Sequence, residues 1–248
     1  MKAIKSLFRR HDTKNVNADI YSHYVALGDS MSTDDYPGEG KGAASLLYKN
    51  QDSVHPEFKS FDLKTVCPGI KFQSLALDGA TSAHVLHHQL EKIKAPRNEK
   101  ILITLTAGGN DILSGEDADT VVSRLEIIVN TLSREFPKGD LIVGTIYDPT
   151  DGVKDLFGPF RDMTREYEIL KIVNGTIQQL GERPNVRVAD VYSHFLGHGS
   201  YCKDSDNPYH QKDDPSLWFV LTIEPNVRGA HEIRRLFWNS LNPEIPLP

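Results

Sequence analysis

Five short apolar runs recur along this chain with helical patterns between them, and that alternation constrains the fold more than any other feature. The runs are Tyr24–Leu27, Phe72–Leu77, Ile101–Thr106, Leu141–Ile146 and Val186–Val191. Each is short enough for a buried strand. Between and after them, apolar residues return at helical spacing. Thr81–Ile93 carries Val85, Leu86, Leu90 and Ile93, and Ala118–Phe136 carries Val121, Leu125, Ile128 and Leu132. Asp162–Leu180 and Gly229–Leu241 repeat the pattern. Strands alternating with helices imply βαβ units, right-handed crossovers and a parallel sheet covered on both faces. The stretch Tyr192–Pro215 has no periodicity and reads as a long surface loop.

Residues 1–20 are polar and charged and read as a loose leader, leaving 21–248 as a single domain. The basic head is broken by Lys5 and Ser6. It therefore lacks the roughly 7–15 unbroken apolar residues of a secretory signal. A membrane-surface helix would have a narrow apolar face of Ala3, Ile4, Leu7 and Phe8. No apolar run reaches the ~20 residues of a membrane span. Lys and Arg number 28 against 34 Asp and Glu, a net charge of −6 that disfavours nucleic acid as a partner. The two cysteines, Cys67 and Cys202, are too few for a disulfide framework. The expectation is a cytoplasmic protein acting on a small molecule, with no stable membrane insertion and no stated oligomeric state.

Several motifs fail on spacing. Gly38-Glu39-Gly40-Lys41-Gly42 matches neither a phosphate loop nor a dinucleotide fingerprint and reads as a flexible loop. His84 and His88 share a helix face but lack the acidic neighbour of a zinc motif, so no metal is expected. The G-x-S-x-G elbow is absent, which argues against a standard α/β-hydrolase.

One constellation carries chemistry. Gly28-Asp29-Ser30 ends the first strand, Leu77-Asp78-Gly79-Ala80 the second, and Thr106-Ala107-Gly108-Gly109-Asn110-Asp111 the third. Ligands of open parallel sheets bind outside these carboxyl ends, so Ser30 sits where a nucleophile belongs. A glycine N–H and an asparagine amide are the donors that an oxyanion hole uses, and the Ser30 N–H is a third. Asp29 reads as a cap or turn brace and Asp111 as a support for the Asn110 loop. Asp34, Asp35 and Glu39 crowd the loop beyond Ser30, either as a solvated turn or as a specificity loop favouring polar or cationic substrates.

These three blocks, in order and at strand ends, resemble those of the GDSL or SGNH hydrolases, and the resemblance runs from Tyr24 to about Asn239. It implies a flavodoxin-like three-layer α/β/α sandwich with a central parallel sheet. It also implies serine esterase or lipase activity through an acyl-enzyme, without cofactor or metal. Carried over position by position, Ser30 is the nucleophile, and Gly79 and Asn110 join the Ser30 amide in the oxyanion hole.

The fourth block departs. Where the family reads D-x-x-H-P-N-x-x-G, this chain reads Leu221-Thr222-Ile223-Glu224-Pro225-Asn226-Val227-Arg228-Gly229, with Glu224 in the histidine's place and Leu221 in the aspartate's. Pro225 suits the first turn of a helix, which would put Glu224 at the helix boundary. Three accounts stay open. Glu224 is the base, its pKa raised by burial. Alternatively a displaced histidine takes over, either His231 or one of His194, His198 and His210. In the third, the domain holds a carbonyl or carboxylate ligand without turnover.

Overall fold

The computed structural model describes residues 21–155 and 162–241; the 1–20 leader lies outside them. Its centre is a five-stranded parallel sheet of β1 (His23–Gly28), β2 (Lys71–Ser74), β3 (Ile101–Thr106), β4 (Asp140–Gly144) and β5 (Val186–Ala189). The strand order is β2-β1-β3-β4-β5, the flavodoxin-like winding. The apolar runs form strands because both faces of the sheet are buried, so side chains of either parity are apolar. Val25, Leu27, Ile103 and Leu105 point to one core, and Tyr24, Ala26 and Leu102 to the other. The first core is covered by α5 (Ala118–Glu135) and α6 (Thr164–Leu180), the second by α1 (Ala43–Tyr48) and α8 (Val227–Leu241). That is the expected three-layer sandwich.

Shorter elements complete it: α2 (Leu63–Val66), α3 (Ser82–His84), α4 (Gly109–Leu113), α7 (Val191–Phe195), and a two-stranded hairpin of β6 (Phe219–Val220) and β7 (Glu224–Pro225). The helix expected over Thr81–Ile93 is present but irregular. After α3 it continues as one π-helical turn, Val85–Gln89, and a 3-10 turn, Leu90–Lys92.

Two expectations need correction. Pro225 does not open the last helix. Glu224 and Pro225 pair antiparallel with Val220 and Phe219, and Asn226 caps α8 by accepting the N–H groups of Arg228 at 2.9 Å and Gly229 at 3.0 Å. The Tyr192–Pro215 stretch begins inside α7, and the surface loop expected there starts only after Phe195, its first part anchored by one side chain. The buried Asp151 carboxylate accepts the N–H groups of Gly197 and Gly199, both at 2.9 Å, and of Tyr201 at 3.1 Å.

Candidate active site

The site is assembled at the carboxyl ends of β1 and β3. Gly28 has φ +128°, and a Cβ there would lie 2.0 Å from the Thr106 carbonyl oxygen, so only glycine lets β1 turn this close to β3. The next residues wind tightly: Asp29 N–H bonds Thr106 O at 3.1 Å, and Ser32 N–H returns to Asp29 O at 3.1 Å. Ser30 is carried on this turn and is buried. Asp29 braces it, Oδ1 accepting the Met31 N–H at 3.1 Å. Burial pushes the Asp29 carboxyl up to about 7, the Glu224 charge adding to the effect and bonds from Thr106 and Met31 opposing it.

Asn110 follows a second left-handed glycine, Gly108 at φ +114°, and opens α4. Its Nδ2 donates to Ala80 O at 3.1 Å, which ties the third block to the second and leaves the other amide proton uncommitted. Asp111 strengthens that tie. Wholly buried, it accepts from Ser82 N–H at 2.7 Å, Ser82 Oγ at 2.6 Å and Arg124 at 3.2 Å. Gly79 lies one residue before Ala80, exposed, at φ +71°.

Glu224 reaches the same place from β7. It lines one cleft with Asp29, Ser30 and Asn110. The side chain is buried, and Oε2 has no hydrogen-bond partner. Burial raises its pKa above the usual carboxylate range, and the charges of Asp78 and Asp35 raise it further. The neighbouring Ser30 hydroxyl acts on it in the opposite sense and lowers it. Beyond this pair the cleft runs between α4 and α6 and is largely apolar, with Met31, Ile112, Ile146, Met163, Leu170 and Ile223 in its wall.

No histidine among the described residues lines this cleft. His231 sits behind the opposite face of the sheet, stacked on His55 with ring centroids 3.9 Å apart and set edge-on to Phe58. His194 Nε2 bonds Glu232 at 2.8 Å. His198 stacks on Trp218 at 3.5 Å, and His210 Nδ1 bonds Cys202 O at 2.8 Å. The structure thus brings Ser30, Asn110 and Glu224 together and keeps the four candidate histidines out of their cleft.

His55, Glu57 and His231 bring possible metal-ligating atoms within 4.8 Å of one another. The geometry suits hydrogen bonding better than a cation. The two rings are parallel to within 3°, so their lone pairs do not converge. Arg234 donates to His231 Nδ1 at 2.7 Å, which leaves the proton on Nε2, facing Glu57 at 3.4 Å. The Gly38–Gly42 loop is likewise accounted for locally. Asp34 accepts the N–H groups of Gly40 at 2.9 Å and Gly42 at 2.7 Å, and the Ser45 hydroxyl at 2.9 Å.

Sequence reasoning missed two residues that shape the site. Gln89 grips the Gly28 backbone, and Tyr147 donates its hydroxyl to Ile223 O at 2.6 Å, beside Glu224. Gln89 follows two histidines in a helical pattern and Tyr147 lies one residue past the Leu141–Ile146 run, so nothing in the sequence singles out either.

Comparison with known proteins bears on the fold and the family. No curated protein matches the chain in sequence. Among solved structures, a member of the lipolytic protein G-D-S-L family from Veillonella parvula superposes with TM-score 0.59 at 18% identity, over 86% of this chain and 94% of that one. The extracellular lipase of Streptomyces rimosus gives 0.60 at 15%, over 88% and 99%. A variant of the acetyl xylan esterase Axe2 from Geobacillus stearothermophilus gives 0.59 at 15%, over 92% and 99%. These likenesses show the fold. The model of the GDSL-like lipase/acylhydrolase family matches residues 26–231, from β1 into α8. The chain belongs to the GDSL-like lipase/acylhydrolase family, and the family model that fits residues 26–231 makes it a carboxylic ester hydrolase.

Proposed function

We propose that this chain cleaves a carboxylic ester through an acyl-enzyme on Ser30, with Glu224 as the proton acceptor. In the first half-reaction the Ser30 Oγ–acyl bond forms while its proton passes to Glu224. The N–H groups of Ser30 and Gly79 and the free amide proton of Asn110 hold the negative oxygen. The acyl–oxygen bond to the alcohol then breaks, and Glu224 returns the proton to the leaving oxygen. Water repeats the sequence and releases the acid. The observation that carries the reading is the pair itself. A buried carboxylate with an unpartnered oxygen and a raised pKa lines the same cleft as the one G-x-S serine, and burial moves it in the direction that a base for that serine needs.

The reading of a domain that holds a carbonyl or carboxylate ligand without turnover is not favoured: a carboxylate would meet Glu224 in the same cleft, and for a neutral carbonyl the family model points to hydrolysis. The test is covalent labelling of Ser30 by a fluorophosphonate together with hydrolysis of a 4-nitrophenyl ester. Ser30→Ala abolishes both, and turnover preserved in that variant would overturn the proposal. A cytoplasmic site of action belongs to the same proposal. Cys67 and Cys202 are free buried thiols, and no described helix is long and apolar enough to cross a membrane.

A further inference from the structure

One short helix carries both an oxyanion donor and a wall of the cleft. Gly109, Asn110, Ile112 and Leu113 of α4 line the cleft that holds Ser30 and Glu224. The remaining α4 residue, the wholly buried Asp111, bonds Ser82 and Arg124, which fixes this wall in relation to the Asn110 amide. α6 packs against α4 and supplies a second wall from one stripe at helical spacing, Met163, Glu166, Tyr167 and Leu170.

The two ends of that stripe differ. At the inner end, Leu170 lies one turn before Asn174, whose carboxamide holds the N–H and the carbonyl of Ile146, each at 2.8 Å. Ile146 abuts Gly108, two residues before Asn110: a Cβ on that glycine would lie 2.9 Å from Ile146 Cδ1. At the outer end, the Met163 N–H bonds the Lys154 carbonyl at 3.0 Å, and the Lys154 ammonium lies 4.6 Å over the Tyr167 ring. Lys154 and Glu166, both half-buried, bring charge into the lining there. Between the ends, Ile112, Ile146, Met163 and Leu170 are buried and apolar. The polar side chains of the neighbouring lining are spent on the protein itself. Asp148 accepts the Thr150 N–H, the Thr150 hydroxyl and the Gly152 N–H, and the Tyr147 hydroxyl goes to Ile223 O. A sugar there would bury hydroxyls without partners, whereas an alkyl chain loses nothing.

Which half of an ester lies in this cleft follows from the proposed acyl-enzyme, on which this inference rests. The acyl group stays on Ser30 after the alcohol has left, and water must then reach its carbonyl. A walled cleft suits the half that stays. An alcohol seated there would have to withdraw lengthwise before water could follow it into an apolar slot. The stripe also sets a length. At about 1.5 Å per residue, Met163 to Leu170 spans about 10 Å. An extended hydrocarbon advances about 1.25 Å per bond, so the apolar stretch holds a chain of about eight carbons.

We propose that the walls from α4 and α6 form an acyl-chain slot closed by charge at its outer end, and that the preferred substrates are esters of unbranched, medium-length fatty acids. Leu170 and Ile112 hold the chain beside the carbonyl, and Lys154 and Glu166 set the length at which further methylenes gain nothing.

The experiment measures kcat/KM for the 4-nitrophenyl esters of acetate, butanoate, octanoate and dodecanoate, each below its micelle-forming concentration, and compares ethyl octanoate with octyl acetate. The expected rise is about two- to fourfold per methylene up to octanoate, with no further gain at dodecanoate. Ethyl octanoate should exceed octyl acetate by about tenfold or more. Leu170→Trp fills the slot and should lower the octanoate-to-acetate ratio at least about tenfold. That ratio is internal to one protein, so general damage does not move it. Lys154→Met with Glu166→Met, at the outer end, should raise the dodecanoate-to-octanoate ratio at least about threefold. An octanoate-to-acetate ratio of one or less, preference for octyl acetate, or ratios unmoved in both variants overturns the slot and leaves the hydrolase standing. A native chain that prefers dodecanoate to octanoate overturns the limit assigned to Lys154 and Glu166. Absence of hydrolysis of every ester in the set overturns the hydrolase reading and the slot with it.

Discussion

Gln89 holds Gly28 by both of its backbone polar groups: the Gly28 N–H donates to Oε1 at 2.8 Å, and Nε2 donates to the Gly28 carbonyl at 2.8 Å. Gly28 is two residues before Ser30, at the point where β1 turns, so this carboxamide fixes the base of the turn that carries Ser30. The π-helical turn Val85–Gln89 is the element that delivers it.

Gln89→Leu keeps the bulk but leaves Gly28 N–H buried without its partner, an omission that costs about 1–3 kcal/mol. The turn relaxes to find another partner and carries Ser30 with it. We expect kcat to fall by roughly 10–100-fold, since displacements of about an ångström cost that much, with a smaller change in KM. The rate of fluorophosphonate labelling should fall in parallel. A variant that loses melting temperature but labels and turns over normally would make Gln89 a brace of the fold alone.

Much of the site was legible because steric necessity writes it into the chain. Gly28 and Gly108 mark places where no side chain fits or where φ is positive, and Ser30 and Asn110 follow them by two residues. The hidden parts depend on partners far away in sequence. β6 and β7 are two residues each, too short for any periodicity, so the sequence presents Pro225 as a helix opener, whereas its neighbour Asn226 is the cap. His231 looks like an exposed helix residue, yet α8 buries it against His55 and Phe58, which come from a 3-10 turn more than 170 residues earlier. The loop after α7 is ordered by Asp151, a single carboxylate that no local pattern announces.

The buried histidine cluster should make the fold sensitive to acid. His231 is held down to about 3 by burial, by the Arg234 charge and by His55, and burial together with Arg234 lowers His55 too. Groups with depressed folded pKa values take up protons only on unfolding, so stability falls as pH drops below about 6.5, the unfolded value, towards 3. Glu232, held near 2 by His194, Arg235 and Arg228, adds a second loss between about 4.5 and 2. Asp29, at about 7, works the other way between about 4 and 7. The histidine contribution is isolated by comparison with His231→Phe. Urea midpoints should show the variant less stable at pH 7, where it lacks the Arg234 bond, with the gap closing by about 1–2 kcal/mol at pH 4.5. Parallel losses in both proteins would sink the assignment.

Tyr147 holds the far side of the Ser30–Glu224 pair. Its hydroxyl bond to Ile223 O fixes the residue before Glu224, while its ring packs on Phe195 and Phe219. Tyr147→Phe removes one oxygen and leaves the packing. The expected result is a drop in kcat of about 3–30-fold at little cost in stability, because the carbonyl lies near the cleft and water replaces the donor. An unchanged kcat would show that β7 holds Glu224 without it.

The pH profile tests Glu224 most directly. A base works only when ionised, so activity should rise with pH through the Glu224 ionisation, which burial, Asp78 and Asp35 place above the usual carboxylate range. Asp29 ionises at about 7 beside it, so the observed limb belongs to the pair. Asp78→Asn removes one of the charges that oppose ionisation, and the limb should move to lower pH. Asp29→Asn should sharpen the limb to a single step. Glu224→Gln keeps shape but accepts no proton, and kcat should fall by about 10²–10⁴, the usual worth of a positioned base. Residual activity in that variant should lose the limb and rise only with hydroxide. If Glu224→Gln keeps both native turnover and the native limb, Glu224 only lines the pocket. The proton would then have to leave by another route, and Asp29, the other buried carboxyl with a raised pKa in the cleft, becomes the group to replace next.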